Sequence, residues 1–280
     1  MATKRPKKSA NALPFAPVIK APAVGHAKPV AKAHLTTGTP THADVAAAYA
    51  APAPGKQSPA NVVGDPTQNL QTFTLEDLAQ FTEEKTYSND ASGDVHLFFV
   101  GRDDVHDLLK YILSRVTNSL YLNMFGFDDS ELNNILMQKA LDPKVTMLIT
   151  LDKSQSGGVH EKALLEADQK YNLAAYNTHF AVGQSLTHQI SHTKGFVADG
   201  RVAAEGSVNW SSSGEGTFVV TGQPGGAGYQ AQNNTQSVIT DPDTIIRFQT
   251  ELIKEHTTAK SQEDSSNNGT TQEPVKPVTQ

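Results

Sequence analysis

The sequence predicts a mixed α/β fold, a partly parallel sheet flanked by helices with flexible segments at both ends, and three observations point to it. Apolar runs of strand length alternate with stretches of helical period from residue 95 to residue 171. Two short apolar runs then flank Asp199-Gly200, a strong hairpin signal. The two ends carry almost no periodic apolar pattern. Strands alternating with helices give a sheet whose faces the helices cover.

Each element has its own warrant. Thr74-Leu-Glu-Asp77 has the form of a capped helix start, with an acid three residues after the N-cap. Val95–Val100 reads as a strand. Val105, Leu108, Leu109, Ile112, Leu113 and Val116 recur at helical spacing, which predicts an amphipathic helix over residues 103–117. Leu120–Phe125 is a second strand, and a second helix runs from about Ser130 to Leu141 with Leu132, Ile135 and Leu136 on one face. Val145–Leu151 is a third strand and Glu161–Tyr171 a third helix. Beyond the hairpin, the Gly-rich stretch from Thr221 to Gly228 reads as a mobile loop. Gln236–Thr240 is the last strand. Asp241-Pro242 opens a terminal helix to about His256, with Asp as N-cap and Pro at the first helical position.

The ends differ in kind from the middle. Residues 1–60 hold 17 Ala and 9 Pro, and residues 257–280 are mostly Ser, Thr, Asn, Gln, Glu and Pro. Neither composition buries enough surface to offset chain entropy. The expected organisation is a disordered arm over residues 1–71, one domain over residues 72–256 and a polar tail over residues 257–280. Charge follows the same division. Residues 1–60 carry eight Lys/Arg and one Asp, a net of +7, and the remaining residues carry 15 basic and 28 acidic side chains, a net of −13. The arm is either a solvated tail or a contact for an anionic partner. Cysteine is absent, which excludes disulfides and Cys-ligated metals. Neither a secretory h-region nor an apolar stretch of membrane-spanning length is present, so a cytoplasmic location is the default expectation, with delivery or export by another route left open.

The hairpin carries the chemistry. With Asp199 and Gly200 as a two-residue loop, Ala198 pairs with Arg201 and His192 falls opposite Ser207. Residues two apart on a strand share a face, as do opposed residues of an antiparallel pair. His192, Lys194, Ser207 and Asn209 then project from one side, bringing together an imidazole, an ammonium, a hydroxyl and an amide. No acidic metal cage is evident there.

The spacing is also specific. His192-x-Lys194, four residues, Asp199, six residues, then Gly206-Ser207-x-Asn209 resembles the signature of the phospholipase D superfamily at every position and both intervals. The likeness extends to the order of elements over residues 95–256. It implies a phospholipase D-like fold and a metal-independent phosphodiesterase without a cofactor. His192 would attack phosphorus, a second histidine would protonate the leaving oxygen, Lys194 and Asn209 would hold the non-bridging oxygens, and Ser207 would support them. Asp199, in the turn, would cap or orient the hairpin. One position departs from the pattern: family nucleases often carry Asn-Ala-Glu-Asn after the motif, and here Asn234-Thr-Gln236-Ser237 stands in that place, so Gln236 offers a hydrogen bond without a charge.

A chain with one motif supplies one histidine, and single-motif members pair two chains across a two-fold axis, so the resemblance implies a homodimer with a composite site. Nucleic acid is the expected substrate, phospholipid the alternative, and a non-catalytic interaction protein the third possibility. His160-Glu-Lys162 repeats the first half of the motif. Its following acid, Asp168, falls one position too late, and its setting is helical, so it reads as a charged helix face.

Overall fold

A computed structural model describes residues 69–88, 91–185, 190–222 and 230–268. The expected arm lies almost wholly outside the described residues, as does most of the Gly-rich loop.

Seven strands form one sheet. They are β1 (Val95–Phe99), β2 (Ser119–Met124), β4 (Thr146–Asp152), β5 (Thr178–Gly183), β6 (Lys194–Ala198), β7 (Val202–Gly206) and β9 (Thr235–Ile239), in the spatial order β1-β9-β7-β6-β2-β4-β5. The β2, β4 and β5 neighbours are parallel, and every other pairing in the sheet is antiparallel. Two short strands, β3 (Phe127–Asp128) and β8 (Trp210–Ser211), form a separate parallel pair.

The parallel half exists because helices return the chain each time. Helix α1 (Val105–Ser114) precedes β2, α2 (Ser130–Ala140) joins β2 to β4 by way of β3, and α3 (Val159–Tyr171) joins β4 to β5. Asp104 and Asp129 cap α1 and α2, accepting the amides of Asp107 and Leu132. The Thr74 start is also capped, its amide donating to the Asp77 carboxylate at 2.9 Å, but the turn it opens is a 3-10 helix, Leu75–Phe81. Leu108, Leu109, Ile112, Leu132, Ile135 and Leu136 are almost fully buried on one face of the sheet, as the helical spacing predicts. Short helices α4 (Ser212–Glu215) and α5 (Thr217–Val220) follow β8.

The opposite face is covered by α6 (Pro242–Asn268), which packs across β5, β4, β2 and β6. Val197, Ala203, Ile245 and Leu252 form its core. Asp241 opens this helix by accepting the Thr244 amide at 2.7 Å. The expected end at His256 is corrected, because the helix continues to Asn268. Ala259 is 1% exposed, and a Cβ added at Gly183 would lie 2.4 Å from the Ala259 Cβ, so β5 and α6 meet where only glycine fits. The Glu263 carboxylate accepts the Val182 amide at 2.7 Å and the Gln262 side chain accepts the Gln184 amide at 2.8 Å, both from the edge strand and its exit. Polar composition past residue 256 thus reflects a helix that works by hydrogen bonding to a sheet edge.

Candidate active site

The motif begins where the chain enters β6. His192 is exposed, yet the residues on either side of it are fixed. The Ser191 amide donates to Asp152 Oδ2 at 2.6 Å, at the C-terminal end of β4, and Asn123 Nδ2 of β2 donates to Ser191 Oγ at 3.0 Å. Thr193 Oγ1 donates to Glu255 Oε1 of α6 at 3.1 Å, and the other Glu255 oxygen accepts from Asn123. Burial pushes the Glu255 carboxyl up, against the hydrogen bonds from Asn123 and Thr193. The imidazole edge meets the Phe125 ring with centroids 4.5 Å apart. A side chain held by its neighbours with its ring open to solvent loses little freedom on meeting a substrate.

Lys194 is the first residue of β6 and only 4% exposed. Its ammonium donates to the His192 carbonyl at 3.0 Å and stands 4.9 Å from the centroid of the same Phe125 ring. Burial lowers its pKa from the ordinary lysine value, partly offset by Glu205.

The expected hairpin register is off by one. The ladder pairs Ala198 with Val202 and ends at Gly195 with Glu205, so the loop is the three residues Asp199, Gly200 and Arg201. Asp199 and Gly200 lie at φ +52° and +62°, and the Arg201 amide returns to the Ala198 carbonyl at 3.0 Å. The cause lies outside the hairpin. The Asp199 carboxylate accepts the amides of Thr117, Asn118 and Ser119 at 2.8–3.2 Å and the Thr117 hydroxyl at 2.9 Å, which binds the turn to the start of β2. Asp199 therefore orients the hairpin and is remote from His192 along the strand.

With this register, the ladder does not set Ser207 opposite His192. The Ser207 amide donates to Thr235 of β9 at 3.0 Å, and its hydroxyl donates to Asn234 Oδ1 and accepts the Thr235 amide, both at 3.1 Å. The two halves of the motif meet through the end of β2 instead. Phe125 touches His192 and Lys194, and a Cβ at Gly126 would lie 3.1 Å from Asn209 Oδ1. The Trp210 amide donates to the Gly126 carbonyl at 2.9 Å. Asn209 Oδ1 is buried without a hydrogen-bond partner among the described residues. Trp210, 1% exposed, packs against Phe127 and Phe196 beneath the site.

Gln236 pairs with Gly206 in the ladder between β7 and β9 and is 2% exposed. Alternation puts it on the face that carries Lys194, Phe196 and Ala204. A Cβ at Gly206 would lie 2.1 Å from the Thr235 carbonyl oxygen, which explains a glycine at this crossing. The supporting residues Asn123, Phe125, Asp152 and Glu255 carry no signal of their own in the sequence, because each reaches the site from a distant segment.

His160 lies on α3, as its helical setting predicts, 3.7 Å from Asp128. The charged-face reading needs one amendment. Glu161 is 2% exposed and accepts the Phe127 amide at 3.3 Å, and burial pushes its carboxyl up to about 7.

No family model and no curated protein matches the sequence. Solved structures similar to the chain include NucT from Helicobacter pylori, at 16% identity and a TM-score of 0.46, over 59% of this chain and 96% of that one. Nuc from Salmonella typhimurium, a phospholipase D family member, matches at 16% identity and 0.41 over 59% and 94%. Phosphatidylserine synthase from Haemophilus influenzae Rd KW20 matches at 13% identity and 0.40 over 59% and 38%. The chain thus carries every position of the motif on a mixed sheet flanked by helices, the arrangement that the resemblance to the phospholipase D superfamily implies.

Proposed function

We propose that the domain is a phosphodiesterase that cleaves nucleic acid through a phosphohistidine at His192. The observation that carries the reading is the pairing of an exposed, backbone-anchored imidazole with the buried Lys194 ammonium two residues away. A nitrogen of the His192 ring forms a bond to phosphorus as the bond to the leaving oxygen breaks. A second imidazole gives that oxygen a proton, then takes one from the water that releases the phosphate. Lys194 supplies charge to the non-bridging oxygens, and the Asn209 amide and Gln236 supply hydrogen bonds.

The second imidazole is assigned to His192 of another copy. Among the described residues, His106 and His256 are buried, His96 is held on the Ser92 carbonyl at 2.6 Å, His160 faces Asp128, and His179 lies beside the start of β4, at the opposite end of that strand from Asp152, which anchors Ser191. The proposed assembly is a homodimer with one shared site. The steps draw on the chain's own nucleophile and cation, so brief chelation is expected to leave turnover intact.

Substrate choice rests on the surroundings. The basic segment over residues 1–60, with its net of +7, supports nucleic acid. Trp210 is packed inside and does not offer an interfacial anchor. One observation favours phospholipid: Val95, Leu97 and Phe99 are 40–55% exposed along the edge strand β1. The test measures wild type and His192→Ala side by side on DNA, RNA, phosphatidylcholine vesicles and bis-p-nitrophenyl phosphate. Wild type should cleave nucleic acid and the small diester, and the variant should fall below a thousandth of that rate. Choline release without nucleic-acid cleavage transfers the reading to phospholipid, and a variant above a tenth of wild type removes His192 from the mechanism.

A further inference from the structure

Away from the motif, five ionisable side chains gather where α1, the start of α2 and α4 meet. His106 and Lys110 come from α1, Asp129 from the cap of α2 and Glu131 from its first turn, and Glu215 from the end of α4. His106 Nδ1 is hydrogen-bonded to Glu215 Oε2 and lies 3.7 Å from Asp129 Oδ2. His106 Nε2 lies 3.6 Å from Glu131 Oε2, which also forms an ion pair with the Lys110 ammonium at 2.7 Å. Donor atoms of His106, Asp129 and Glu215 all fall within 4.8 Å of one another.

Two features set this group apart from a solvated acidic patch. Glu215 is 0% exposed, and its second oxygen, Oε1, has no hydrogen-bond partner among the described residues. A buried carboxylate oxygen without a donor is costly, and a cation beside it removes the cost. The imidazole also sits between two different kinds of neighbour. Nδ1 faces the Asp129 and Glu215 oxygens while Nε2 faces a third carboxylate, and a histidine that binds a metal through one nitrogen commonly donates from the other to a carboxylate.

We propose that His106, Asp129 and Glu215 bind a divalent transition-metal ion, and that one imidazole nitrogen with carboxylate oxygens best suits zinc. Asp129 is free to serve, because the oxygen that caps α2 is Oδ1 and the one facing His106 is Oδ2. The ion is structural. Glu215 stands six residues after Asn209, and α4 is pressed onto the motif, since a Cβ at Gly214 would lie 2.1 Å from the Asn209 carbonyl oxygen. Tying Glu215 to α1 and α2 thereby fixes the segment that presents Asn209. No step of the proposed cleavage passes through the ion.

The experiment reads metal content and stability, independently of turnover. Full-length protein is purified without chelator or affinity metal, and its metals are measured by inductively coupled plasma mass spectrometry. About one zinc per chain is expected. Dipicolinate should lower the melting temperature by about 5 °C, and added zinc chloride should restore it. Asp129→Asn keeps a capping oxygen and removes a ligand charge, so it should lose the zinc and the zinc-dependent shift. Protein without stoichiometric metal, whose melting temperature ignores zinc and cobalt alike, overturns the proposal. A zinc shift retained in full by Asp129→Asn overturns the assignment of these ligands.

Discussion

His192-Thr-Lys194 and His160-Glu-Lys162 are the same tripeptide pattern in two settings, and the settings separate them. At the mouth of β6 the pattern is extended, its lysine is buried on an aromatic ring and its flanking residues are bound to β2, β4 and α6. On α3 the same spacing sends the histidine to Asp128, buries the intervening glutamate and leaves Lys162 exposed. Chemistry follows backbone period: a step of two keeps side chains together on a strand and separates them on a helix.

The sharpest way to break the comparison is to treat the two lysines alike. Lys194→Ala should lower kcat on a small phosphodiester by about 10²- to 10³-fold, the usual loss for a charge-stabilising contact. Lys162→Ala should leave it within about twofold, and equal losses would erase the distinction. Burial adds a pH signature. The charged form of Lys194 is the useful one, and its pKa is shifted below the ordinary 10.5, so the rate should fall on the alkaline side before that value. A pH–rate profile that holds flat to pH 10.5 contradicts this role.

Glu255→Gln sharpens the comparison at the next level, since it weakens the support under Thr193 without touching the reacting groups. A roughly tenfold fall in kcat with little change in KM is expected, because small displacements of a nucleophile are expensive. Asp199→Ala should act on stability. Losing a carboxylate that accepts three amides costs about 2 kcal/mol, read as a melting temperature lower by about 5 °C. Its activity per folded molecule should stay near wild type. The smallest effect belongs to His160→Ala, expected to be silent in turnover and within about 1 kcal/mol in stability.

What could be read in advance divides along the same line. The alternation of strands and helices and the interval from His192 to Asn209 are local patterns, and the sequence carries them openly. The hairpin register is set by Asp199 bonding to residues 117–119, some eighty positions upstream, so turn chemistry alone put it one residue out. The polar composition after His256 predicts a helix end there, yet the helix runs on to Asn268. Contacts of Ala259, Gln262 and Glu263 with the β5 edge support it there, and composition does not encode an edge. The cluster around Glu215 was invisible for the same reason, its members being spread over more than a hundred residues.

Glu255 has a consequence for the order of events during synthesis. It lies 46 residues after Asn209, the last residue of the motif, and it is the residue that holds Thr193. A ribosome adds about 5–20 residues each second, so His192, Lys194 and Asn209 exist for some seconds before their support is made. Through that interval the nascent chain carries every reactive group and lacks the clamp on Thr193. Any product released before residue 255 would stay in that condition, with the motif intact and the histidine poorly aimed.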